Sequence, residues 1–272
     1  MRAQLQTRAK LLAQVRAFFS ERNVLEVDTD LMRKCPAIDA TIDPIKTTHG
    51  YLVTSPEYAM KMLLSNGSDD IYQLSHVFRA EESGPWHSNE FTMIEYYRVG
   101  MSLDAFIDEV ADLVQLFTGP QPVRRLTYDE ALELYPEPMT APDPSWDADT
   151  ALNYRFAHVE EHLGQGELTV ITDYPASQAA LARVEKTAKR FEIYYKSVEL
   201  CNGYDELTEP EELRSRLLEQ NALRDKPLPL DEDFLNALDL PPCCGVALGF
   251  DRLVALHQNL STIHTQKNLA SV

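Results

Sequence analysis

The chain has 272 residues, 44% of them hydrophobic, enough to bury a full core in one large domain or one domain with a small insertion. Its formal net charge of −18 opposes extended contact with a phosphate backbone and leaves only a local basic patch for that purpose. Cys35, Cys201, Cys243 and Cys244 lack CxxC spacing, so no zinc site or disulfide framework is expected, and a reducing cytoplasm fits best.

Residues 1–20 carry three arginines, one lysine and no acid, the charge pattern of a transit peptide without its serine richness. Leu11, Leu12, Val15, Phe18 and Phe19 fall at i, i+1, i+4, i+7 and i+8, which predicts instead a helix packed on a core. That helix ends near Arg22-Asn23 and leads into a short strand, Val24 to Val27. No run of about 18 apolar residues marks a membrane span. A second helix follows the Thr54-Ser55-Pro56 turn, from Glu57 to about Leu64.

The next stretch, "FRAEESGPWHSNEFTMIEYY" (Phe78 to Tyr97), places Glu81, Glu82, Glu90 and Glu95 between apolar, strand-like runs. Burying so much charge is costly unless it is paired. Arg79 offers a planar, permanently charged fork for a phosphate or carboxylate. His87, in the loop, is within reach of another phosphate, and Phe91 can stack on a nucleobase. A strand pair carrying surface ion pairs has the same composition.

Leu103 to Phe117 reads as an amphipathic helix, and Pro120 to Trp146, rich in proline and acid, as an irregular excursion or small helical insertion. Leu168 to Thr172 reads as a strand and Phe191 to Leu200 as a hairpin within "RFEIYYKSVELCNGYDE". A two-residue turn at Lys196-Ser197 pairs Tyr194 with Glu199 and Glu192 with Cys201. Glu192 and Glu199 then lie diagonally on one face, roughly 7–8 Å or somewhat less apart at Cβ. Mg²⁺, which takes one or two carboxylates plus substrate phosphates, suits such a pair, and so does a solvated charged face. Glu209 to Arg224 is a polar-faced helix. In "GVALGFDRLVAL" (245–256), the strand Val246 to Phe250 runs into a helix opening at Asp251, a good N-cap. Gly249 permits close backbone approach and Arg252 projects from the first turn. Several strands without βαβ alternation predict an α+β fold, a mainly antiparallel sheet flanked by helices.

Taken together, Phe78-Arg79-x-Glu81, the loop ending in Glu90-Phe91, and Gly245…Gly249-x-Asp251-Arg252 resemble motifs 2 and 3 of class II aminoacyl-tRNA synthetases. "VRAFFSERNVLEVDTD" (Val15 to Asp30) resembles motif 1. The likeness extends to the lysine-specific branch through "TSPEYAMKMLL" (54–64), "EFTMIEYY" (90–97), "RFEIYYKSVELCNGYDEL" (190–207) and "DEDFLNAL" (231–238). It spans roughly residues 8 to 257, with 120–165 poorly matched.

The resemblance implies that Arg79 grips the α-phosphate of ATP and the substrate carboxylate. Glu81 helps position the nucleotide, and His87 faces the outer phosphates. Phe91 and Arg252 sandwich the adenine, with Arg252 also near the triphosphate, while Glu192 and Glu199 hold Mg²⁺. Glu57, Glu95, Tyr97, Asn202, Tyr204 and Glu206 hold a lysine-type substrate, whose two ammonium groups need several carboxylates to replace their water. The reaction is in-line attack of the amino-acid carboxylate on the α-phosphorus, with no covalent nucleophile.

Motif 1 begins within the first twenty residues, leaving no room for the anticodon-binding barrel of lysyl-tRNA synthetases. The expectation is therefore a single catalytic domain, 1–272, with a variable insertion around 120–165. The shortened family it most resembles is the elongation factor P (R)-β-lysine ligases, through "YPASQAALA" (174–182) and Ala247, where lysyl-tRNA synthetases have glycine. These adenylate β-lysine and pass it to the ε-amine of a lysine on elongation factor P. The resemblance also implies a homodimer through motif 1, and no tRNA partner.

Asp30 replaces the usual motif 1 proline, Pro85-Trp86 a basic residue, Ser88 an asparagine and Tyr204 a phenylalanine. Arg22, Arg33, Lys34 and Lys61 are candidates for a basic docking patch. An amidating enzyme related to asparaginyl-tRNA synthetase and a non-catalytic regulatory paralogue are the rival readings.

Overall fold

A computed structural model describes residues 2–135, 138, 140 and 142–267. Helix α1 (Arg2–Glu21) buries Leu11, Val15, Phe18 and Phe19, the stripe expected from their spacing. Strand β1 (Leu25–Glu26) follows, then β2 (Met32–Arg33) and β3 (Tyr51–Leu52), which form a small antiparallel pair. Helix α2 (Glu57–Ser65) leads to the long strands β4 (Ile71–Gly84) and β5 (His87–Val99). The charged stretch is thus a β-hairpin almost to its tip, and His87 opens a strand rather than lying in a broad loop.

Helix α3 (Leu103–Thr118) starts at Ser102, whose side chain accepts from the Ala105 N–H. The segment expected to be irregular is more regular than its composition suggests. Between Pro120 and Trp146 it holds β6 (Val123–Thr127) and α4 (Tyr128–Leu134) with a Thr127/Glu130 capping box, while positions 136, 137, 139 and 141 lie outside the described residues; α5 (Ala148–Glu160) then leads to β7 (Leu168–Tyr174). Because β6 and β7 pair in parallel, this stretch is a βαβ-type unit, which the residue pattern did not lead us to expect.

Strands β8 (Ala188–Tyr195) and β9 (Val198–Asp205) turn at Lys196-Ser197 as expected, both residues having positive φ (51° and 60°). Helices α6 (Pro210–Ala222) and α7 (Glu232–Ala237), strand β10 (Cys243–Gly249), and helices α8 (Phe250–His257) and α9 (His264–Lys267) complete the order. Asp251 is not the N-cap of α8. Gly249 holds that position, and Asp251 turns inward to take hydrogen bonds from Arg8 and the Thr92 N–H.

The main sheet has the order β1-β4-β5-β10-β9-β8-β7-β6, antiparallel except for its outermost pairs β1/β4 and β6/β7. One face carries the largest core, where Tyr96, Phe191, Ile193, Val246 and Leu248 pack with α1, α3 and α8. Each such side chain contributes about 1.5–3 kcal/mol on burial. The opposite face of the central strands forms a cavity. Among the described residues no helix is long and apolar enough to cross a membrane.

Candidate active site

Alternate residues of β5, β10 and β9 share one face of the sheet and line a cavity of about 260 Å³. The cavity faces Phe91, Met93, Glu95 and Tyr97 from β5, and Gly245, Ala247 and Gly249 from β10. On β9, strict alternation would set Glu199 and Asn202 on opposite faces. The structure resolves this with a bulge. Tyr194 pairs with Glu199 but Ile193 with Cys201, so Leu200 is an extra residue. Glu192 therefore opposes Asn202, not Cys201 as the simple hairpin register predicts. The bulge lets Glu199, Asn202 and Tyr204 all line the cavity.

The polar end of the cavity is cationic. Arg79 is largely buried, with its guanidinium 5.1 Å over the Phe91 ring and its Nε 3.5 Å from the Thr54 carbonyl. Burial lowers its pKa, Glu82 and Glu199 opposing, and it makes no ion pair with any described residue. An arginine stays charged under such conditions, so the site holds a poorly solvated cation suited to an anionic ligand. Arg252 donates to the Glu199 carbonyl (2.7 Å), lies 3.4 Å from its carboxylate and donates to the Trp86 carbonyl (3.2 Å). Its Nη2 sits 2.9 Å from His87 Nε2. Burial and then Arg252 lower the His87 pKa, which keeps the imidazole neutral as the acceptor. Gly249 fits here because a Cβ would lie 3.3 Å from Arg252 Cδ.

Glu199 is 39% exposed to the cavity, yet the protein packed around it and the neighbouring Glu192 push its pKa up, against Arg252. Glu192 stands behind the wall. It is buried, and Arg190 and the hydroxyls of Tyr174 and Tyr194 donate to it. Glu160 joins this group unannounced by the sequence, its Oε1 2.9 Å from the Tyr194 hydroxyl, with burial raising its carboxyl to about 7. Glu81 is exposed, with φ of 59°, and does not line the cavity, whereas Glu82 does. Among the described residues no three His, Cys, Asp or Glu side chains form a ready metal cage. A Mg²⁺ ion carried in on substrate phosphates needs only one or two carboxylates; of the expected pair Glu192 and Glu199, only Glu199 lines the cavity.

The other end is acidic. Glu95 takes hydrogen bonds from Ser55 (2.5 Å) and Tyr97 (2.8 Å), and burial, then Glu57, push its carboxyl up to about 8. Glu206 and Glu57 line the same end, and a Cβ on Gly245 would overlap Glu206 and the Tyr97 ring. Lys61 is not the surface residue that a docking patch requires. It is 1% exposed, with its ammonium 2.7 Å from Glu57 and 2.8 Å from Glu206. Its i+4 spacing from Glu57 on α2 was the available signal. Loops 37–42 and 180–181 roof the cavity, and α6 holds both. Arg224, just beyond α6, donates to the Asp39 and Ile42 carbonyls, and Arg216 to those of Ala180 and Ala182.

An antiparallel sheet holding two arginines at one end of a cleft and carboxylates at the other is the arrangement of a class II synthetase catalytic domain. The family profile described as tRNA synthetases class II (D, K and N) matches residues 1–267. The chain is 40% identical to the elongation factor P–(R)-β-lysine ligase of Vibrio parahaemolyticus, over 93% of this chain and 91% of that protein. It is 38% identical to the ligase of the same name from Haemophilus ducreyi (97% and 91%) and 39% to that from Salmonella dublin (92% and 89%). The chain belongs to the class II tRNA synthetases and, within them, to this ligase family.

Proposed function

We propose that the chain is an ATP-dependent, AMP-forming ligase that adenylates (R)-β-lysine or lysine and transfers it to the ε-amine of a lysine on elongation factor P. The observation that carries this reading is the polarity of the cavity. Arg79 and Arg252 occupy one end, and Glu57, Glu95 and Glu206 the other. An amino acid with two ammonium groups fits with its carboxylate toward the arginines. Arg79 is placed to neutralise the α-phosphate and the attacking carboxylate together, and Arg252 with His87 to meet the remaining phosphates. Phe91 supplies a face for the adenine. Mg²⁺, held by Glu199 with Glu192 behind it, would offset triphosphate charge when bound. The names of the relatives support the acceptor, and the cytoplasm is the compartment such a reaction needs.

The three carboxylates weigh against an amidating enzyme acting on aspartate. The presence of Arg79, Glu199 and Arg252 in one cavity weighs against a non-catalytic paralogue. Pyrophosphate exchange tests the reading. It should depend on lysine or β-lysine and not on aspartate, and Glu199→Gln should lower it by orders of magnitude with the fold intact by circular dichroism. Unchanged exchange in that variant would remove Glu199 from the metal role, and aspartate-dependent exchange would remove the substrate assignment.

A further inference from the structure

Lys61 is charged, 1% exposed and outside the cavity wall, directly behind two residues that line it. A lysine so placed is costly unless its neighbours compensate. Here burial alone would lower its pKa, but Glu206 and then Glu57 outweigh it and keep the ammonium charged. The two partners depend on Lys61 unequally. The Glu57 side chain is 19% exposed and lies in the first turn of α2, where the helix dipole favours a carboxylate. The Glu206 side chain is 1% exposed, and its Oε2 has no aligned hydrogen-bond donor among the described residues. The Lys61 ammonium, 2.8 Å away, is what that oxygen has.

Among the described residues, the titratable groups facing this pair offer no second cation. Glu57 and Tyr58 come from α2, Glu95 and Tyr97 from β5, Cys243 and Cys244 from β10, and Tyr204 and Asp205 from β9. Asp205 is itself paired with Arg183 at 2.7 Å.

We infer that Lys61 is a positioning residue for the amino-acid end of the site, an internal counter-charge that acts through Glu206. It favours the ionised form of that carboxylate and holds it in place before substrate arrives. This rests on the reading of the cavity as a lysine-type site. Its consequence is specific to the amino acid. Without Lys61, Glu57, Glu95 and Glu206 share one pocket, and Glu206, whose Oε2 has no other donor among the described residues, loses the charge that opposes its protonation. A protonated Glu206 no longer attracts an ammonium group, while the arginine end, on the far side of the cavity, is unaffected.

Burial already raises the Glu206 carboxyl to about 7, and Lys61 opposes that rise. Removing Lys61 lifts it further, so ionised Glu206 becomes available only at higher pH. Pyrophosphate exchange driven by (R)-β-lysine and by α-lysine should therefore show, for Lys61→Met, a kcat/KM loss of about tenfold or more at pH 7. The loss should shrink to below about threefold at pH 9, with KM for ATP unchanged. A side chain that merely fills space would give the same proportional loss at both pH values, and that result overturns the inference. If Lys61→Met does not fold, the same substitution in a Glu206→Gln background decides. There it should cost less than about threefold, because the group it serves is gone, and a further loss of about tenfold overturns the inference. A wild-type protein showing no lysine-type exchange would instead sink the reading of the cavity and leave the role of Lys61 a matter of folding alone.

Discussion

Ala247 places a methyl group in the cavity wall between two same-face positions, Gly245 and Gly249, that have no side chain at all. It lies opposite Glu95 on β5 and Asn202 on β9, at the acidic end. On the proposed reading of the cavity, a methyl there would occupy space that an α-ammonium group would take, whereas β-lysine carries its ammonium one carbon farther from the carboxylate. One methyl-sized clash in a tight pocket is worth about 1–3 kcal/mol, or roughly 10–200-fold in rate ratio. Adenylation should accordingly favour (R)-β-lysine over α-lysine, with Ala247→Gly narrowing or reversing the gap in exchange kinetics. Equal α-lysine preference in both proteins would make Ala247 ordinary strand packing. At this scale the sequence exposed residue types better than environments. The cavity positions of Arg79, Phe91, Glu95 and Arg252 were legible because they sit within the quoted motifs. Lys61 was not, since nothing in α2 alone says that the face bearing Glu57 and Lys61 turns toward Glu206, more than a hundred residues on.

Among the elements, the joint between α1, β5 and α8 bears most directly on the nucleotide. Arg8 of α1 donates to Asp251 (2.6 Å) and to the Thr92 hydroxyl (2.8 Å), and the second Asp251 oxygen accepts from the Thr92 N–H (2.9 Å). Asp251 thus fixes α1 to the strand just after Phe91 and to the helix just before Arg252. Hydrogen bonds to charged groups contribute about 1.5–3 kcal/mol, so Arg8→Ala should raise KM for ATP by about tenfold or more. KM for the amino acid should change little, and a parallel rise in both would show that Arg8 only supports the fold. The elements themselves were largely legible. The spacing of Leu11, Val15 and Phe18, the Lys196-Ser197 turn and the Pro56-Glu57 helix start are local signals. The Leu200 bulge and the β6–β7 pairing are not local, because both are set by which face must meet the rest of the sheet. Asp251 misled for a related reason. It has the residue type of a helix cap, but its carboxylate is claimed by Arg8, 243 positions away.

For the molecule as a whole, β1 ends the sheet with Leu25 59% exposed, and Met32 on β2 is 45% exposed. If the chain pairs through the motif 1 region, these exposed apolar side chains are the ones such an interface would cover. Sedimentation velocity should show a dimer for the wild type and a monomer for Leu25→Glu/Met32→Glu, and a wild-type monomer would refute it. The net charge of −18 weighs against tRNA but leaves the acceptor surface to be found. Lys61 is removed from the basic candidates by burial, and Arg22 and Arg33 are paired with Glu109 and Asp231, which leaves exposed Lys34. The central claim is the acceptor, and intact-mass spectrometry reads it directly. Purified protein with ATP and (R)-β-lysine should add one lysyl mass to elongation factor P and leave bulk tRNA uncharged. Efficient charging of tRNA with no mass added to elongation factor P would contradict the account.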